Sequence, residues 1–114
     1  AYQCRGNLFF LRKQPELALR DYNLSLELDS LNPLSYYGRG ITRYFLDDFQ
    51  GALIDFEQAI LLNPNGKSAY FHRANVKRLL GDVEGSMLDY SLAGQMGYMP
   101  AFDSIRKYAV EPIN

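Results

Sequence analysis

Small and aromatic residues recur along this chain at helical spacing. Ala18, Tyr22 and Ser25 stand at i, i+4 and i+7, as do Ala52, Phe56, Ala59 and Ser86, Tyr90, Ala93. That spacing gathers three side chains on one face of an α-helix. Small residues at two of the three places let a second helix approach closely, and the aromatic fills the space beside them. The pattern predicts helices in pairs, the first members over 2–12, 34–46 and 68–80, the second over 15–28, 49–62 and 83–96. Breakers separate them: Lys13-Gln14-Pro15, Asp47-Asp48 and Gly81-Asp82 within pairs, and Asn32-Pro33, Asn63-Pro64-Asn65-Gly66 and Gly97 to Pro100 between pairs. No segment carries the sustained period-two alternation of a sheet, so the fold class is all-α. One more helix opens at Pro100, a residue suited to a first helical position. Phe102, Ile105, Tyr108 and Ala109 continue it at helical spacing.

The pairs are copies of one another. At an offset of 34 residues three columns are invariant: Tyr2, Tyr36, Tyr70; Arg5, Arg39, Arg73; and Asp21, Asp55, Asp89. Others match in kind, among them Gly6, Gly40, Ala74; Ala18, Ala52, Ser86; Tyr22, Phe56, Tyr90; and Leu28, Leu62, Met96. The chain therefore reads as a single repeat domain, with repeats over about 1–33, 34–67 and 68–99 and a capping helix over about 100–110. A repeat array needs a terminal element over its last apolar face. The alternative is that the last helix opens a fourth repeat, truncated at Glu111-Pro112. Because the helical pattern is already under way at Ala1, the chain is expected to be part of a longer one.

Ser35-Tyr36-Tyr37-Gly38-Arg39-Gly40, followed by Ala52, Phe56, Ala59 and Pro64, resembles a tetratricopeptide repeat, a family whose period is also 34 residues. The resemblance covers about residues 1–99. Departures are Pro15 and Val83, where the family prefers an aromatic, Gly94, which stands where Ile60 does in the middle repeat, and Arg43 and Lys77, where it prefers a tyrosine. The resemblance implies a right-handed superhelix of antiparallel helix pairs, an α-solenoid of about seven helices. It also implies a concave groove lined mostly by the first helices. Carried onto this sequence, the groove columns are Gln3, Tyr37, Phe71; Asn7, Ile41, Asn75; and Phe10, Tyr44, Arg78. Tyr37, Ile41 and Tyr44 form an aromatic centre, with Gly38 predicting an indentation alongside, and the polar residues form a rim. The competing reading is that these aromatics pack against each other or against the last helix.

Some members of the family clamp the acidic C-terminal tail of heat-shock chaperones. The matching positions here are Gln3, Asn7, Gly38, Ser68 and His72. Only Asn7 keeps the clamp residue, and a carboxylate clamp needs cations at fixed places. A chaperone tail is therefore not the expected ligand.

Charge and composition narrow the chemistry. Twelve Lys and Arg against thirteen Asp and Glu leave a net charge of −1 in 114 residues, a balance unlike that of a protein gripping nucleic acid through its phosphates. No apolar run approaches the roughly 20 residues that span a bilayer, so no membrane insertion is expected. A single cysteine, Cys4, and a single histidine, His72, exclude an internal disulfide and any multi-cysteine zinc site. No nucleophile motif, zinc-protease motif or phosphate-binding glycine loop is present, so neither catalysis nor a cofactor is expected. Asn23-Leu24-Ser25 has the form of a glycosylation acceptor but falls inside a helix with Ser25 in a packing column.

The invariant Arg5, Arg39, Arg73 and Asp21, Asp55, Asp89 both sit near helix–helix contacts. They predict a ladder of interhelical ion pairs, since a guanidinium binds a carboxylate in two places and buried charges need partners. The alternative is that the arginines read a phosphate or an acidic peptide. Arg43, Lys77, Arg78 and Arg106 make either a local positive patch or an ordinary solvated helix face. Taken together, the expectation is a non-catalytic adaptor or scaffold that binds a peptide or helix of a protein partner in an apolar groove. The alternatives are a structural, self-associating repeat segment, which leaves a homo-oligomer open, and an accessory domain of a larger enzyme.

Overall fold

The computed structural model describes residues 5–7 and 11–109. Residues 5–7 are helical, and six helices follow: α1 Pro15–Leu28, α2 Pro33–Phe45, α3 Phe49–Leu62, α4 Lys67–Leu79, α5 Val83–Gln95 and α6 Pro100–Ala109. No strand occurs among the described residues. Helix boundaries follow local chemistry. Asn32 accepts the Leu34 N–H at 3.0 Å, Asp48 the Gly51 N–H at 3.0 Å and Asp82 the Gly85 N–H at 2.9 Å, each satisfying a donor with no partner inside the helix. The turns inside the pairs pass through the left-handed region at Lys13 (φ 61°), Asp47 (φ 64°) and Gly81 (φ 94°). The backbone turn is thus alike in all three while the residue filling it changes.

The chain forms two compact units, Ala1–Pro64 and Asn65–Asn114. In the first, α1 packs on α2 and α2 on α3. Its centre is aromatic rings set into glycines. The buried Tyr22 ring lies against Gly6, where a Cβ would come within 3.0 Å, and against Gly38, where a Cβ would overlap Cε1 and Cζ. Phe56 lies against Gly40, where a Cβ would come within 2.8 Å. Ala18, Ala52 and Ala59 are buried around these rings, and the Ser25 and Ser35 hydroxyls are hydrogen-bonded at 2.6 Å. The small-and-aromatic columns work here as a close-approach device, because a missing Cβ lets a ring from the neighbouring helix reach the backbone.

In the second unit α4 packs on α5 and α5 on α6. Ala74, Tyr90, Ala93 and Ala101 form a buried cluster, with Tyr70, Phe71, Met87, Tyr98 and Ile105 packed around it. Through Ala101 and Ile105, α6 covers this core; the side chains of Phe102, Tyr108 and Ala109 lie outside those described. No buried side-chain nitrogen or oxygen among the described residues lacks a hydrogen bond.

Candidate functional site

Of the nine groove residues, Gln3 and Phe10 lie outside the described residues. In the first unit, α2 carries Tyr37, Ile41 and Tyr44, all half-buried, and Asn7 is exposed on the preceding helical turn. Tyr37 leans on Phe56 with ring centroids 6.0 Å apart, and Tyr44 contacts Phe45 at 5.9 Å and Phe49 at 5.7 Å. Each ring is therefore braced from beneath and partly open to water. In the second unit, α4 carries Phe71, Asn75 and Arg78, again half-buried. Phe71 is enclosed by aromatics, with Tyr98 at 5.0 Å, His72 at 5.3 Å and Tyr90 at 5.6 Å. Part of its surface is thus taken by the segment leading into α6.

No indentation opens beside Gly38. Tyr22 fills that space and sends its hydroxyl on to Asn7, whose Oδ1 accepts the hydrogen bond. Burial of the ring pushes the Tyr22 hydroxyl up to about 12, so it remains a proton donor at any ordinary pH. The same bond recurs in the second unit, where the Tyr90 hydroxyl donates to Asn75 Oδ1 and also accepts from Arg78 Nε at 3.4 Å. In the middle repeat both partners are apolar, Phe56 and Ile41. Asn7 and Asn75 are thus oriented from below, and an oxygen engaged by a hydroxyl leaves the amide N–H groups as what such a side chain offers a ligand. The sequence carried a signal for this: the columns Tyr22, Phe56, Tyr90 and Asn7, Ile41, Asn75 change from polar to apolar together.

The arginines and aspartates meet in pairs. Arg5 binds Asp21 at 2.7 and 2.8 Å, Arg39 binds Asp55 at 3.0 and 2.8 Å, and Arg73 binds Asp89 at 2.8 and 2.8 Å, each through Nε and one terminal nitrogen. All three carboxylates are buried. The Arg5 hydrogen bonds hold the Asp21 carboxyl below its ordinary value against the opposing effect of burial. The Arg39 and Arg73 guanidinium groups also lie over the Tyr36 and Tyr70 rings, at 5.7 and 5.4 Å. Two of the basic residues read as patch or solvated face have other work. Arg43 reaches Asp55 at 3.1 Å and Lys77 reaches Asp89 at 3.1 Å, so each of these carboxylates holds two cations. Arg106 pairs with Asp103 at 3.1 Å on α6. Asn23 accepts from Arg39 at 2.8 Å.

Among the described residues no group of three or more His, Cys, Asp or Glu is placed to hold a metal ion. Nor is any helix among them long and apolar enough to cross a membrane.

The fold is similar to that of solved structures. The second TPR (tetratricopeptide repeat) domain of human RPAP3, in complex with the HSP70 peptide SGPTIEEVD, superposes with a TM-score of 0.89 at 24% identity, over 96% of this chain and 93% of that one. The Arabidopsis OM64 TPR domain gives 0.85 at 23% identity, over 93% and 92%. This chain has the tetratricopeptide-repeat fold. The Yersinia enterocolitica type III secretion translocator chaperone SycD is similar too, with a TM-score of 0.91 at 12% identity, over 96% of this chain and 82% of that one. No family model matches the sequence, and no curated protein matches it as a relative. The TPR fold accounts for the recurring small and aromatic columns. It does not account for Arg43 and Lys77, which here bring a second cation to a buried aspartate.

Proposed function

We propose that this chain is a non-catalytic protein–protein interaction module, an adaptor or scaffold that holds a peptide or helix of a partner on its first-member helices. The observation that carries the reading is the face of α2. Tyr37, Ile41 and Tyr44 stand there partly exposed and braced by Phe56 and Phe49. Braced aromatics lose little freedom on binding and make good anchors. In the first unit Gln3, Asn7 and Phe10 join the proposed contacts, and in the second Phe71, Asn75 and Arg78 on α4 form the corresponding proposed face. The TPR domain of RPAP3 binds a peptide, which supports the same class of ligand here. Nucleic acid is disfavoured because Arg39, Arg43, Arg73 and Lys77 are committed to buried aspartates, leaving less free positive charge to neutralise phosphates.

An acidic chaperone tail is not the proposed ligand. At the positions the clamp would need, Gly38 is filled by Tyr22, Ser68 has no charge, and burial lowers His72 to about 4, leaving it neutral at neutral pH. Titration with SGPTIEEVD is expected to give no saturable binding, and submicromolar binding would refute this exclusion. The main test is quantitative capture by the parent domain against a Tyr37→Ala/Tyr44→Ala variant first shown to be helical and to melt cooperatively. Captured proteins are then remade and titrated singly. Partners bound by the parent and lost with the variant support a groove-dependent adaptor. Equal capture by both moves the interaction off this face. Capture by neither, with a mass that rises with concentration, replaces the adaptor by self-association.

A further inference from the structure

The chain holds seven asparagines, and one of them, Asn65, is followed by glycine. The side-chain amide carbon of an asparagine is open to attack by the backbone nitrogen of the next residue. That nitrogen must carry a proton it can lose, lie outside a helix and be uncrowded. Asn32 and Asn63 precede Pro33 and Pro64, and a proline nitrogen has no proton to lose. Asn23 and Asn75 precede Leu24 and Val76 inside α1 and α4, where the helical ladder holds the N–H groups. Asn7 is followed by leucine, whose side chain crowds its nitrogen, and Asn114 lies outside the described residues. Asn65 differs on each count. It is exposed, in the turn leading from α3 to α4. Among the described residues no backbone acceptor holds the Gly66 N–H, and Gly66 has no Cβ beside its nitrogen. The turn does not demand a glycine, because Gly66 has φ −78° and ψ 79°, values near the common inverse γ-turn. Nor does Gly66 cap α4. In the preceding repeat Asn32 holds the same position and accepts the Leu34 N–H at 3.0 Å, whereas α4 has no side-chain cap.

We propose that Asn65 is a spontaneous modification site, at which water converts the side-chain amide to aspartate and isoaspartate through a cyclic imide with Gly66. The Gly66 nitrogen gives its proton to a solvent base and bonds to Asn65 Cγ. The Cγ–Nδ2 bond then breaks and ammonia leaves. Water next opens the imide at either carbonyl. Cleavage at Cγ restores the ordinary chain with an aspartate; cleavage at the former backbone carbonyl leaves the chain joined through Cγ, as isoaspartate. Nothing is oxidised or reduced, and water is the one co-reactant consumed. The two products act differently on α4. The aspartate puts a carboxylate just before a helix whose first turn holds no acid, a favourable place for negative charge. In isoaspartate the former Asn65 carbonyl, which accepts the Lys67 N–H at 2.9 Å, leaves the main chain as a carboxylate, so the entry to α4 is re-routed. This chemistry is separate from binding at the α2 face and does not depend on it.

The test is incubation of the whole chain in oxygen-labelled water at neutral pH, with circular dichroism showing it folded throughout. Digestion and mass spectrometry then follow each asparagine separately, and chromatography resolves aspartate from isoaspartate. Asn65 is expected to convert within days to both products, each carrying one labelled oxygen. Conversion at Asn23 and Asn75 should be slower by about tenfold or more, since their neighbouring nitrogens are held in helices. Gly66→Ala keeps an accessible backbone conformation and should slow the reaction by about tenfold, through the Cβ it places beside the nitrogen. Asn65→Gln, whose longer side chain would need a larger ring, should stop it on this timescale. Helical spectra equal to the parent's show that both variants fold. The proposal is overturned if Asn65 stays intact, if Asn23 converts as fast, or if Gly66→Ala reacts at the parent's rate. Aspartate without isoaspartate would equally overturn it, because direct hydrolysis of the amide would then replace the imide.

Discussion

Replacing Asp55 with alanine removes a buried carboxylate that accepts three charge-assisted hydrogen bonds, from Arg39 at 3.0 and 2.8 Å and from Arg43 at 3.1 Å. The two side chains left behind are 19% and 25% exposed, so neither guanidinium can recover full hydration without leaving its packed position. Stranding buried charge in this way costs about 3–5 kcal/mol, a large share of a total stability of about 5–15 kcal/mol. Asp21→Ala supplies the internal comparison. Asp21 is equally buried, but Arg5, which binds it in two places, is 50% exposed and so keeps more of its hydration when the carboxylate is removed. The loss there is expected to be about 1–2 kcal/mol. Both positions belong to the same compact unit, so both changes are read on the same transition. The assay is urea unfolding at neutral pH followed by far-ultraviolet circular dichroism, with the slope compared to confirm that the transition itself is unchanged. In the double variant Asp55→Ala/Arg43→Tyr one stranded cation is gone, and about 1–2 kcal/mol should return through coupling between the neighbours. A loss under about 1 kcal/mol for Asp55→Ala, or an equal loss for Asp21→Ala, would show that the carboxylates do not neutralise buried charge.

Other consequences are open to the same methods. Gly38→Ala should destabilise the domain by about 1–3 kcal/mol through overlap with Tyr22, even though alanine is the better helix former by up to about 1 kcal/mol; a higher melting temperature would refute the packing argument. His72 is neutral in the folded chain down to about 4 but takes a proton near 6.5 when unfolded, so stability is expected to fall as pH drops between these values, by at most about 3 kcal/mol. His72→Leu should flatten that slope, and a parent curve no steeper than the variant's would refute it. Asp21 behaves in the opposite sense: its pKa is lowered by folding, so its contribution is complete above the unfolded value of 3.8 and fades as pH falls through the folded one. Asp21→Asn should remove that final acid step, which unfolding below the His72 range would reveal.

Much of the architecture was legible in the chain because it rests on local periodicity. The helix expected over 34–46 is Pro33–Phe45 and that expected over 83–96 is Val83–Gln95; these one-residue shifts come from cap geometry, which hydrophobic spacing does not encode. The columns of small and aromatic residues marked the packing faces, since a ring beside a missing Cβ leaves a direct trace in residue type. Gly38 was harder to read. A glycine on a helix surface looks like an opening, and only the neighbouring pair shows that Tyr22 enters it. Arg43 and Lys77 were ambiguous for a similar reason, because a lone cation has no period that separates a solvated face from a second partner for Asp55 or Asp89.

The chain by itself therefore determined helices, repeat length, core columns and the pairing of residue types, all set by neighbours within a few turns or by the recurrence of one pattern every 34 residues. Tertiary structure alone decided which glycine receives which ring and which cations converge on one carboxylate. These are contacts between residues on different helices. Their outcome depends on the volume and reach of side chains brought together only when the helices pack, and no local spacing specifies it.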